Sequence, residues 1–233
     1  MIIVRRSSNR VARCRVVAGL CLALAAAATK ASATSPTDSL ATTATGTYAP
    51  HDDTGGWAFT TSLYAYFPPE EQDYLQPTLM ADRERWHLEL RYNYEESEAV
   101  STWLGYNLAF EGPVEAELTP MFGAVIGTTR GVAPGVRGSV SWWKLGYYAE
   151  GEYLFDLTES SDSYFYLWTE LTISPGAWYR LGLVAQRTRA YRAEREIQRG
   201  VLAGATIGWL DIGAYLFDPD DDLTTVLAAT VEF

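Results

Sequence analysis

The chain has 233 residues, a net charge of −11, two cysteines and two histidines, and 48% of its residues are hydrophobic. An excess of acid this large excludes nucleic acid as a partner on electrostatic grounds. Two cysteines cannot build the disulfide framework of a small secreted domain. Both, Cys14 and Cys21, lie in the predicted leader, so the mature chain keeps two histidines and no cysteine. That falls short of an ordinary zinc site, and we expect neither metal nor other cofactor.

The first residues, MIIVRRSSNRVARCRVVAGLCLALAAAATKASA, place five arginines between Arg5 and Arg15. An apolar run from Val16 to Ala28 follows, and then the small-residue sequence Ala31-Ser32-Ala33. That order predicts a secretory signal peptide over residues 1–33 and export from the cytoplasm. The run is too short to cross a bilayer as a helix, and Leu20 ahead of Cys21 does not suit a lipoprotein site. Cleavage after Ala33 removes six of the 18 basic residues and none of the 29 acidic ones, taking the net charge to −17. Both cysteines leave as well. Residues 34–56, TSPTDSLATTATGTYAPHDDTGG, have no periodicity and read as a flexible periplasmic lead-in to residues 57–233.

From Trp57 onward the period is two. In WHLELRYNYE, Trp86, Leu88, Leu90, Tyr92 and Tyr94 share one face, and His87, Glu89, Arg91, Asn93 and Glu95 share the other, the signature of a strand between two different solvents. The same holds for AVSTWLGYNLAFEG, SYFYLWTELTIS and VEAELTPMFGAVIG, where Pro120 predicts a bulge. Turn signals divide the region into strands near 57–67, 73–82, 85–95, 99–111, 114–129, 135–143, 146–157, 163–174, 177–190, 197–209, 211–218 and 223–233. Twelve is an even number, as bacterial single-chain barrels require, and it returns both ends to one side. The connections alternate in kind. PPEEQD, EESEA, RGVAPG, TESSD, AYRAERE and DPDDD are polar and long, whereas DRE, EGP, WKLG, PG and LD are short. The predicted fold is therefore an all-β, closed, antiparallel up-and-down transmembrane barrel of about 12 strands.

Periodicity alone leaves a soluble sandwich as the alternative, because the same pattern serves a sheet with an apolar core. Size separates the two: eight strands already enclose a filled interior, and about twelve enclose more than apolar side chains can fill. Trp57, Phe67, Trp86, Trp142, Tyr179, Trp209 and Phe233 fall near strand boundaries, where aromatic girdles sit in the headgroup region.

The last strand, LTTVLAATVEF, carries Leu223, Thr225, Leu227, Ala229, Val231 and Phe233 on one face and ends on Phe233. It resembles the carboxy-terminal signal read by the barrel-assembly machinery, which implies a Gram-negative outer-membrane β-barrel. The blocks YLQPTLMADRERWHLELRYNYE and LVAQRTRAYRAEREIQRG are similar to a group of outer-membrane proteins, and that resemblance supplies no activity. Its implied partners are outer-membrane lipids and lipopolysaccharide, the assembly machinery, and small polar solutes.

The strand parity nominates an inner face made of His87, Glu89, Arg91, Asn93, Asn107, Glu117, Arg137, Glu150, Glu152, Glu170, Arg180 and Gln186. Charges inside a barrel must pair across it or face water. Two readings follow. In one, these residues line a restricted pore whose carboxylates favour cations and neutral polar solutes. In the other, Arg, Glu, Tyr and Trp interlock against the inward glycines Gly182, Gly200, Gly204 and Gly208 and close the bore. A rim-located lipid hydrolase using His87 is a third possibility, although no serine is marked as its partner. No catalytic residue is assigned. Asp218 to Asp222 have the spacing of a calcium loop without its glycine or bidentate glutamate, and read as an acidic outer loop. Arg187, Arg189 and Arg199 break the parity on the apolar side near the outer rim. They either grip lipopolysaccharide phosphates or turn inward through a bulge.

Overall fold

The computed structural model describes residues 56–233 apart from 70, 160–162, 191–195 and 221, and apart from the side chains of 188–190 and 196. The predicted signal peptide and nearly all of the lead-in lie outside the described residues. The strands are β1 (Ala58–Phe67), β2 (Tyr74–Arg83), β3 (Trp86–Tyr92), β4 (Val100–Tyr106), β5 (Leu108–Phe110), β6 (Glu115–Ile126) and β7 (Gly131–Trp142). They continue as β8 (Leu145–Asp156), β9 (Tyr164–Gly176), β10 (Tyr179–Ala190), β11 (Glu196–Ile207), β12 (Leu210–Phe217) and β13 (Thr224–Glu232). All pairings are antiparallel, and β1 closes on β13 from Thr60↔Glu232 to Phe67↔Thr225. Because β6 pairs along one edge with both β4 and β5, these two are a single stave interrupted at Asn107, and the barrel has 12 staves. Closure leaves no unpaired edge, which is what a strand structure in hydrocarbon requires.

The direction of the leucines decides between the two solvents. Leu88, Leu90 and Leu104 are 40%, 46% and 51% exposed, while Glu89, Arg91 and Glu170 are 7%, 1% and 1% exposed. A soluble sandwich would reverse this. The apolar side chains clothe the outside of the wall and the charged ones fill the inside, so the soluble alternative is excluded by the fold. The tryptophans add a second asymmetry. Trp57, Trp86, Trp142, Trp143, Trp178 and Trp209 are all exposed and all stand at the end of the barrel that carries the short turns. Indole rings in a band of this kind match the depth of a headgroup layer.

Three local expectations are corrected. Pro120 makes no bulge: β6 and β7 stay in register from Glu115↔Ser141 to Val125↔Gly131. It stands opposite the interruption of the β4–β5 stave, between Leu108↔Leu118 and Gly105↔Met121, so the pairing lapses there while the register is the same on both sides. RGVAPG is largely strand, since β7 starts at Gly131, and Pro134 on its outer side only interrupts the ladder to β8 without shifting register. Gly208 is not inward. It sits in the turn before Trp209 with φ +64°, a left-handed conformation that favours glycine.

Candidate functional site

The inner faces of the strands converge on two clusters. The first is charged and centres on Arg91 of β3. Its guanidinium lies 2.8 Å from Glu89, 2.9 Å from Glu150 and 3.1 Å from Glu152, with Glu95 at 3.9 Å. Tyr94 and Trp103 present ring faces to it at 4.3 and 4.6 Å. Along the wall β3 and β8 are separated by β4, β6 and β7, so the bonds to Glu150 and Glu152 cross the bore. Arg137 of β7 does the same in the other direction, reaching Glu89 at 3.8 Å and the Met80 sulfur on β2 at 3.1 Å.

Below this, towards the short turns, His87 Nδ1 meets Asp82 at 2.8 Å and Nε2 faces Glu89 at 3.5 Å. Asn107 Nδ2 donates to Asp82 at 2.8 Å, and Thr119 Oγ1 donates to Asn107 at 2.7 Å. The interruption of the stave at Asn107 thus turns its amide into the link between β2 and β6. Both ring nitrogens of His87 are thus engaged by carboxylates, and Arg137 stands 3.4 Å from Nδ1. No serine bonds to it among the described residues.

The second cluster is aromatic. Tyr66, Tyr148, Trp168, Tyr215 and Phe217 pack with Val184, Leu202 and Val226, and Tyr64 reaches from β1 to within 6.3 Å of Trp168 on β9. Three polar tips bond carboxylates: Tyr148 O–H donates to Glu150 at 2.6 Å, Trp168 Nε1 donates to Glu170 at 2.9 Å, and Tyr215 O–H donates to Glu170 at 3.2 Å. Arg180 forks onto Asp211 at 2.6 and 2.8 Å and lies flat over Gly204, whose absent Cβ would meet the guanidinium carbon at 2.5 Å. Trp103 covers Gly123 and Gly135 in the same way. These three glycines leave room for a large planar group, whereas at Gly182 and Gly200 an added Cβ would meet the backbone of Leu171 and Leu216.

The sequence-nominated residues therefore divide. His87, Glu89, Arg91, Asn107, Arg137, Glu150 and Glu152 join the first cluster. Glu170 joins the aromatic one, Arg180 stands beside it, Glu117 bonds Thr119 at 3.4 Å, and Gln186 bonds Gln198 across to β11. Asn93 is not among them. It has φ +56°, its Oδ1 accepts the Glu98 N–H at 2.7 Å, and its Nδ2 donates to the Leu75 carbonyl, so it shapes a turn. Arg187 and Arg199 stay outside. The β9–β10–β11 registers run unbroken past them, which removes the inward-bulge alternative. Arg189 pairs with Phe165 in backbone register, and its side chain lies outside the described residues.

Asp82, Tyr94, Glu95 and Asp211 are part of the interior and were not nominated. Parity would have found Asp82, two positions from Met80, and Asp211, two from Gly213. Glu95 shares the parity of Glu89 and Arg91 but lies past the end of β3, whereas Tyr94 has the opposite parity and carries no such signal, because both belong to the β3–β4 connection. This connection folds into the mouth. Tyr94 O–H donates to Glu150 at 2.9 Å and its ring meets Tyr166 edge-on, while Glu95 accepts from Ser101 at 2.5 Å and Trp103 at 3.1 Å. Tyr164 on β9 holds the Glu95 carbonyl. The acidic EESEA segment is thus a cap in part and not only a solvated loop.

A wall of tilted strands, apolar outside and polar inside, with its bore narrowed by side chains, matches known structures. The KdgM porin superposes with a TM-score of 0.56 at 12% identity, over 75% of this chain and 99% of that one. The chain has the fold of an outer-membrane porin. The KdgM porin in complex with disordered oligogalacturonate gives a TM-score of 0.52 at 12% identity over 75% and 98% of the two chains. The NanC porin gives 0.52 at 9% identity over the same shares. No protein-family model matches the sequence, and no curated protein is similar to it.

Proposed function

We propose that this protein is an exported barrel of the Gram-negative outer membrane, with both termini periplasmic, forming a restricted pore for passive diffusion of small hydrophilic solutes. The observation that carries the reading is the make-up of the constriction. Around Arg91 it consists of polar side chains and one short connection, while the aromatic cluster of Trp168, Tyr215 and Phe217 packs the wall beside it. Arg91, Glu150, Tyr94 and Glu95 meet through polar contacts that water and small polar solutes can replace with contacts of the same kind, a hydrogen bond to a charged group being worth about 1.5–3 kcal/mol net. The fold shared with porins supports the same reading. The oligogalacturonate of the KdgM complex is not carried over, because an interior in which Asp82, Glu89, Glu95, Glu117, Glu150, Glu152, Glu170 and Asp211 outnumber Arg91, Arg137 and Arg180 disfavours a polyanion. Cations and neutral polar solutes fit it better.

A second reading, a closed scaffold barrel, is favoured by the depth of the interlock, in which Arg91 is 1% and Tyr215 0% exposed. Planar-bilayer recording separates the two. Protein that shows heat-modifiable migration on a denaturing gel, and so is folded, should give discrete small current steps. Silent bilayers from such protein would leave the scaffold reading standing alone.

A further inference from the structure

The outer wall over β6 to β9 is not smooth. Ala149 and Gly151 of β8 leave a depression of about 590 Å³, walled by Leu118, Tyr153, Phe165 and Leu167. Its volume is that of a small-ligand pocket, but it opens sideways, where the wall faces hydrocarbon. Solvent of that kind fills an apolar hollow with a chain, not with water.

Charge marks one side of it. The cross-strand row Val136↔Gly151↔Leu167 continues to Arg187, and the row Gly138↔Ala149↔Thr169 continues through Ala185 to Arg199. With strands about 4.8 Å apart, Arg187 stands roughly 10 Å from Gly151. Its guanidinium lies 5.8 Å from the centroid of Phe165, which is itself part of the hollow's wall. Among the described residues neither Arg187 nor Arg199 has an ion-pair partner, although both lie on the otherwise apolar outer face. The register places both near the ends of β10 and β11 that lead to the 191–195 connection, on the rim opposite the tryptophan band. A guanidinium held at the edge of hydrocarbon is costly unless an anion meets it, and phosphate is the group it grips in two-point fashion.

We propose that this hollow and Arg187, with Arg199 beside it, form a seat for a phosphorylated, multiply acylated lipid of the outer leaflet: one acyl chain lies over Ala149 and Gly151 while a head phosphate meets Arg187. The site is on the opposite face of the wall from the bore. It stands or falls independently of pore function.

The test uses the full barrel in phosphatidylcholine nanodiscs doped with bis-phosphorylated lipid A, with bound lipid counted by native mass spectrometry. Arg187→Gln removes the charge and Ala149→Trp fills the hollow. Each should lower lipid A retention by about tenfold or more, the loss of one charge-assisted contact, while conductance stays as in the parent. Where Ala149→Trp does not fold by heat-modifiable migration, Ala149→Leu replaces it. Retention unchanged in both variants overturns the proposal, as does retention lost only with Arg187→Gln, which leaves the hollow without a role. A barrel dimer that Ala149→Trp breaks, with no lipid A bound to the parent, overturns it in favour of a second copy on this face.

Discussion

Arg91 is the residue at which burial and charge conflict most strongly, and the barrel resolves the conflict by surrounding it with Glu89, Glu150 and Glu152 at 2.8 to 3.1 Å. A guanidinium out of water costs several kcal/mol to desolvate, and removing one side of such a cluster leaves uncompensated charge worth about 3–5 kcal/mol. Arg91→Gln should therefore lower the urea midpoint of the folded, heat-modifiable form. Adding Glu152→Gln should restore part of the loss, because it removes one stranded carboxylate. Arg91→Lys should rescue less than the double variant, since an ammonium cannot fork onto Glu89 and Glu152 together. A midpoint unchanged in Arg91→Gln would mean that the cluster is already hydrated and not a strut. Arg91 was legible in the sequence as an inward charge, because its neighbours at 88 and 90 are leucines. Its partners were not: Glu150 and Glu152 lie some sixty positions away, and only the closure of the sheet brings β8 opposite β3. Trp103 over Gly123 and Gly135 was hidden for the same reason, since the fit of an indole to a missing side chain belongs to the assembled wall.

At the scale of elements, strands and hairpins are local, and alternation exposed them. Polar and apolar residues change places every position because each strand stands between water-like and oil-like surroundings. The connections were less legible. Composition separated acidic connections from short ones, but the inward fold of the β3–β4 connection depends on hydrogen bonds to the far wall. Tyr94 donates to Glu150 at 2.9 Å and Tyr164 holds the Glu95 carbonyl. If this segment narrows the mouth, the double variant Tyr94→Phe, Tyr164→Phe keeps the rings and removes both bonds. At about 1 kcal/mol each, their loss should shift the ratio of open to closed dwell times by roughly tenfold or more in single-channel records. Unit conductance should change little, because the bore itself keeps its charges. Dwell times equal to those of the parent would assign the cap a purely structural part.

For the whole molecule the decisive quantity is the sign of the field inside the wall. Apolar side chains clothe the outside, so the low dielectric of the bilayer surrounds an interior in which carboxylates outnumber guanidiniums, and field lines from the unbalanced acids are focused along the bore. Part of that charge is neutralised locally: Arg180 answers Asp211, and Arg91 answers a share of Glu89, Glu150 and Glu152. Among the described residues, Glu95 and Glu117 have no ion-pair partner other than Arg91 at 3.9 Å from Glu95. Under a gradient of potassium chloride the reversal potential should accordingly lie on the cation side. It should move towards zero as salt rises and the Debye length falls from about 10 Å at 0.1 M to about 3 Å at 1 M. Glu95→Gln and Glu117→Gln should each move it in the same direction, whereas Arg187→Gln on the outer face should not move it at all. A reversal potential on the anion side would place the permeating path outside the acidic interior, and with it the assignment of the bore to these residues would fail.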